Sequence, residues 1–169
     1  MPDDILAALD FSRRREPEPG TDLRRLLVAW LDYQRHEFRR KWRDLTPAQL
    51  AAWSIPPVEL SVLGLIRHMT QMELAYLSRG LGGGELAMPY GEDDYAGGSV
   101  DSITTDVDAY LAEMERADAA IASLPDLDSP GRGHGEPLGA TLVKMIDEYA
   151  LHSGQAHMLR FAALGQMLR

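Results

Sequence analysis

From Leu23 onward, apolar side chains recur mostly at intervals of three and four. Leu23, Leu26, Leu27, Trp30, Leu31, Phe38 and Trp42 predict a first helix over residues 23–44, capped by Thr21 or Asp22. Thr46-Pro47 opens a short helical turn through Trp53, which Ile55-Pro56-Pro57 stops. Ser61 caps a second helix, with Val62, Leu65, Met69, Met72 and Leu77 on its apolar side, running toward Gly80. A third starts at Ser99 or Asp101, carries Ile103, Val107, Tyr110, Leu111, Met114 and Ile121, and ends before Pro125. The Gly/Pro-rich linker of residues 130–137 leads into a fourth helix over residues 138–164. Residues 1–20, ending in Arg13-Arg14-Arg15-Glu16-Pro17-Glu18-Pro19-Gly20, read as an N-terminal arm, and residues 21–169 as one domain. No stretch alternates as a strand does. Four long helices of similar size predict an all-α four-helix bundle.

The fourth helix breaks its own pattern. Its inward seam reads Leu138, Leu142, Met145, Glu148, His152, Gln155, Leu159 and Ala162. Burying an unpartnered polar group costs roughly 1–3 kcal/mol, so three successive polar seam positions need a reason. The second helix repeats the anomaly once, because His68 lies on the face formed by Leu65, Met69 and Met72. Glu148 and His152 are four residues apart and leave one face a turn from each other, so both can reach one cation. A third donor must come from another helix, and His68 is the histidine on such a face. The bland alternative is a hydrogen-bonded core histidine and a structural Glu–His contact.

The levels can be compared. His68 lies twelve residues before Gly80, and the midpoint of Glu148 and His152 lies twelve residues after Leu138. Each is therefore roughly 18 Å from its helix end. Antiparallel packing of the second and fourth helices brings all three side chains to one level; parallel packing does not. That arrangement makes the third helix parallel to the second and demands a long crossover between them. The glycine-rich stretch from Gly80 to Ser99 can span up to about 60 Å.

Composition narrows the function classes. The chain has 169 residues, a formal charge of −9 and no cysteine. Disulfides, thiolate metal ligands and a cysteine nucleophile are excluded, and any reactive thiol must come from outside. The negative charge argues against a nucleic-acid partner. The basic run Arg35, Arg39-Arg40-Lys41 and Arg43 is interleaved with apolar helix positions and reads as a solvated face. No apolar run approaches the about 20 residues that span a bilayer, and Met1-Pro2-Asp3-Asp4 opens no signal core, so a cytoplasmic protein without a membrane partner is expected. Gly80-Leu81-Gly82-Gly83-Gly84 follows a helix and lacks a Gly-Lys-Ser/Thr ending, which argues against phosphate cradling. No Gly-x-Ser-x-Gly elbow supports serine hydrolase chemistry.

Several segments together resemble the DinB-like (YfiT-like) metalloenzyme family, in particular its actinobacterial branch: Leu31-Asp32-Tyr33-Gln34-Arg35, Leu45-Thr46-Pro47-Ala48-Gln49-Leu50, Leu63-Gly64-Leu65-Ile66-Arg67-His68-Met69 with Glu73, and Met145-Ile146-Asp147-Glu148-Tyr149-Ala150-Leu151-His152-Ser153-Gly154-Gln155. The resemblance covers nearly the whole chain from about Leu23. It implies a four-helix bundle with one long crossover, homodimers, and three metal ligands near one end of the bundle. Many members use three histidines. The mycothiol-dependent maleylpyruvate isomerases, similar in fold, use His, Glu and His, the set that His68, Glu148 and His152 match. The branch commonly reads His-x-Gly-His-Ala-Asp where this chain has His152-Ser153-Gly154-Gln155-Ala156-His157. Gln155 thus replaces a polar ligand candidate, and His157, about 140° around the helix from His152, reads as outer surface.

A site of two imidazoles and one carboxylate keeps positions open, as catalytic zinc sites do, and the same donors also suit Ni, Fe or Mn. By resemblance the expected chemistry is transfer or isomerisation dependent on an external thiol, mycothiol being the natural candidate, on a small electrophilic substrate. The alternative is a non-catalytic metal- or small-ligand-binding dimeric bundle. Gln155, one turn beyond His152, is placed to orient a ligand or a water. Arg67 is expected to point away from the seam. Tyr90 and Tyr95, in the crossover with Glu92, Asp93 and Asp94, either cover the site or lie in an exposed loop, and the exposed loop is the expected reading; His36 and His134 are given no role.

Overall fold

The computed structural model describes residues 1–20, 22–92 and 94–165; of the two cap candidates for the first long helix, Thr21 lies outside them. Among the described residues there is no β-strand, and the elements in chain order are α1 (Pro2–Ala7), α2 (Leu23–Arg39), α3 (Pro47–Ala51), α4 (Val62–Met72), α5 (Arg79–Gly82), α6 (Ile103–Ala122) and α7 (Leu138–Ala163). α4 and α5 are one rod joined by a π-helical segment, Glu73–Ser78. The caps follow the local chemistry. The Asp22 side chain accepts from the Arg25 amide at 3.0 Å, Ser61 from the Gly64 amide at 2.9 Å, and Thr46 with Gln49 closes a reciprocal capping box at α3.

Paired contacts set the helix directions. His68 meets His152 with ring centroids 4.7 Å apart, while Glu73 accepts from the Tyr149 hydroxyl at 2.6 Å. Rising numbers on one rod meet falling numbers on the other, so α4 and α7 are antiparallel. Arg67 pairs with Asp106 at 3.4 Å, and Arg35 bridges Glu73 to Asp118; α4 and α6 are therefore parallel. Phe38 packs on Tyr149 and Arg160 donates to the Arg43 carbonyl, making α2 and α7 parallel. This is a four-helix bundle with its long crossover between α5 and α6, the topology that the level argument requires.

Phe38, Trp42, Tyr110 and Tyr149 form an edge-to-face aromatic cluster at its centre. Beside it runs a buried polar network. Arg35 Nε and Nη2 donate to the two oxygens of Glu73 at 2.8 and 2.7 Å, and the Tyr149 and Tyr110 hydroxyls are linked at 3.0 Å. Glu73 joins it from the buried face of Ile66 and Met69, seven and four residues earlier on α4. The π-helical segment that begins there inserts about one residue, which rotates the following chain by roughly 100° against a straight α-helix. Met72, expected inside, is half-buried, and Glu73 is fully buried.

The first twelve residues lie along the bundle: Leu6 is buried in the core, and the Ser12 carbonyl is bonded by His36 Nε2 at 2.7 Å. His36 is thus a buried clamp for the N-terminal segment.

Candidate metal centre

His68 from α4 and Glu148 and His152 from α7 come together where the two helices cross. Each offers a ligand atom, and these atoms lie within 4.8 Å of one another. His152 Nε2 is 3.4 Å from Glu148 Oε2. Tetrahedral ligands with bonds of about 2.0–2.2 Å sit roughly 3.3 Å apart, so this pair already has the spacing and the third donor needs only a small side-chain adjustment. His68 and His152 are buried and Glu148 is half-buried, which leaves one side toward solvent. Two imidazoles and a carboxylate at this spacing fit a divalent ion.

Both rings are oriented from behind. The Asp94 carboxylate accepts from His68 Nδ1 at 2.7 Å, and the Gln155 side-chain carbonyl accepts from His152 Nδ1 at 2.8 Å. With each Nδ1 proton so engaged, Nε2 keeps its lone pair for a cation. Burial holds the His68 pKa below the usual histidine range; the nearby His152 adds to this, while Asp94 and Glu148 oppose it. His68 is thus ready to bind metal without first losing a proton.

The crossover builds the site. It was expected as an exposed loop, yet Asp94 is buried, and the Tyr95 ring stacks on His68 at 4.3 Å with planes 17° apart. Burial, with Asp94 and Glu148 adding to it, pushes the Tyr95 hydroxyl up to about 12, so it stays protonated. Gln71 holds the segment in place, donating to Asp94 Oδ2 at 3.0 Å and accepting from the Tyr90 amide at 3.2 Å. Arg67, expected to point away, is buried at the same junction. It donates to the Asp94 carbonyl at 3.0 Å and lies 4.0 Å from the Tyr90 ring centroid. Gly64 permits this approach, since a Cβ there would stand 2.2 Å from the Tyr95 carbonyl oxygen. Of the acidic residues named in the crossover, Asp93 lies outside the described residues. Asp94 was missed as a site residue, and covering of the site by Tyr95 was the less favoured of two readings, because a loop contact leaves no periodic trace; the usable signal was Gly64, a residue without a side chain inside an otherwise apolar helix face.

A family model described as Mycothiol-S-transferase matches residues 26–165. The chain belongs to this family. It is a DinB-like family, in agreement with the motifs around His68 and His152. No curated protein and no solved structure matches the chain. As a member of the mycothiol-S-transferase family, it has a small-molecule substrate. Among the described residues, no helix is long and apolar enough to cross a membrane.

Proposed function

We propose that this chain is a divalent-metal-dependent transferase that joins the sulfur of mycothiol to a small electrophile, with His68, Glu148 and His152 as the metal ligands. The observation that carries the reading is the convergence of these three donors within 4.8 Å, with Glu148 half-buried between two buried histidines. When bound, the ion, zinc being the best match to this donor set, supplies Lewis-acid activation that lowers the pKa of a coordinated thiol.

The chain's own groups do the rest. Asp94 and Gln155 keep the two imidazoles in one tautomer and orientation. Glu148 would offset part of the cation's charge, and the stacked Tyr95 ring covers one face of the His68 imidazole. The thiol proton leaves to solvent, the sulfur forms a bond to the electrophilic carbon, and the displaced group departs with its bonding pair. Addition and later loss of the same thiol would give isomerisation instead.

The protein is further proposed to be cytoplasmic and a homodimer. In support of the dimer, α7 exposes Val143 (56%), Leu151 (57%) and Met158 (45%), eight and seven residues apart on one outer face, with Gly154 between the last two.

Metal analysis of untagged protein tests the reading. One ion per chain is expected, lost in His152→Ala. A bimane or chlorodinitrobenzene electrophile should turn over only with added thiol, and a chelator should abolish turnover. Absence of stoichiometric metal under every loading condition would falsify it.

A further inference from the structure

Outside the metal centre lies a cavity of about 400 Å³, bordered by Tyr76, Arg79, Gly80, Gly84, Gly133 and His134. Its position is set by the π-helical segment Glu73–Ser78, which carries Tyr76. Single π-turns are rare within helices and recur at functional sites. Here the segment brings Tyr76 to the seam with α7, where Lys144 Nζ lies 4.0 Å from its ring centroid. Lys144 is four residues before Glu148, about 6 Å along the helix. Its ammonium interacts first with Tyr76 and more weakly with the charge of Glu148.

The cavity wall is rigid. Linker and helix end are interlocked by the Gly133 amide on the Gly80 carbonyl at 2.9 Å and the Arg132 amide on the Leu81 carbonyl at 3.0 Å. No side chain fits at either glycine: a Cβ on Gly80 would stand 2.2 Å from His134 Nε2, and one on Gly133 2.2 Å from the Arg79 carbonyl oxygen. His134 Nδ1 accepts from the Glu136 amide at 3.0 Å and Nε2 donates to the Tyr76 carbonyl at 3.3 Å, so the ring is tied at both nitrogens. Among the described residues, no carboxylate borders the cavity. The Tyr76 ring and the Arg79 guanidinium border the cavity, and the Lys144 ammonium reaches that ring from α7; such a set suits a polyhydroxylated ring, whose C–H faces pack on the aromatic while its hydroxyls accept hydrogen bonds.

We propose that this cavity is a subsite for the polyhydroxylated, thiol-free end of the thiol substrate, with Tyr76 and Lys144 carrying it. The inference rests on the thiol-transfer reading for what lies at the other end. A cysteinyl amide spans about 6 Å from sulfur to the attached sugar, close to the single turn between Glu148 and Lys144. Tyr76 and Lys144 are then specificity-determining residues remote from the reacting atoms.

Calorimetry on zinc-loaded protein should show mycothiol binding about tenfold or more tighter than N-acetylcysteine, which shares the thiol end alone. Tyr76→Ala and Lys144→Ala should each shrink that ratio toward one with N-acetylcysteine binding unchanged, and Tyr76→Phe should retain most of it. A ratio near one in the wild type, or one that survives both truncations, overturns the subsite. Tighter binding of glutathione than of mycothiol also overturns it, since the cavity would then be selecting carboxylates. Chemical-shift mapping of metal-free protein with glucosaminyl-inositol, the sugar end without the thiol, provides a metal-independent readout. Shifts are expected at the amides of Tyr76, Gly80, Gly84 and Gly133, and their absence counts against the proposal. If this sugar maps there while no thiol binds the zinc-loaded protein, the thiol-transfer reading fails and the polyol site stands.

Discussion

Asp94 accepts the Nδ1 hydrogen bond of His68 at 2.7 Å although 26 positions of chain separate the two. This single contact ties the crossover to the candidate metal centre, because Asp94 is itself held by Gln71 and by its own neighbour's amide, Tyr95 N, at 2.9 Å. An outer carboxylate of this kind orients its histidine and raises its basicity, and losing one typically weakens a metal site about 10–100-fold. Asp94→Ala should therefore retain the helical fold and lower zinc affinity by about that factor. Titration with a competing chelator measures it; wild-type affinity in the variant would remove Asp94 from the site.

His68 sets a pH dependence. Its folded pKa is depressed below 6.5, chiefly by burial, so just below that pH the native state binds fewer protons than the unfolded chain. The sign follows: the contribution of His68 to stability is full above 6.5 and is lost as pH falls through 6.5 toward the folded value. Metal-free protein should show a His68 midpoint below 6.5 by NMR. Asp94→Asn should move it lower still, because Asp94 raises it, and His152→Ala should move it up, because His152 lowers it. Shifts of the opposite sign would contradict the electrostatic account.

Gly64→Ala places a methyl group 2.2 Å from the Tyr95 carbonyl oxygen, a backbone atom that can yield only by moving the crossover. Overpacking of this kind costs about 1–3 kcal/mol. Urea unfolding should register that loss, and zinc affinity should fall with it, since Tyr95 and Asp94 travel together. A variant that is destabilised but binds zinc normally would show that the crossover can be displaced without disturbing His68.

Glu73→Ala leaves the Arg35 guanidinium buried without its bidentate partner. Removing one member of a buried pair costs about 3–5 kcal/mol; Asp118, on the exposed side of Arg35, favours the low end. Tyr149→Phe removes the hydrogen bond to Glu73 and the link to the Tyr110 hydroxyl and should cost about 1–3 kcal/mol. Equal losses in denaturant unfolding for the two variants would mean that the charge pair carries no special weight.

Much of this molecule is written in helical spacing. Leu65, Met69, Leu142 and Met145 define core faces, and polar residues within those faces, His68, Glu148 and His152, stand out because a buried seam tolerates them only with partners. Helix lengths set their common level, which in turn selects the antiparallel arrangement of α4 and α7. The chain alone did not place Asp94, Tyr95 and Arg67 at the site, or Glu73 and Tyr149 on one buried network. The crossover has no periodicity from which a contact could be read, and the pairing of Glu73 with Tyr149 depends on how two separate helices are rotated against each other. Helical positions follow from a local backbone repeat that every residue shares, whereas contacts made by an irregular segment or between separate helices depend on where the whole bundle puts them.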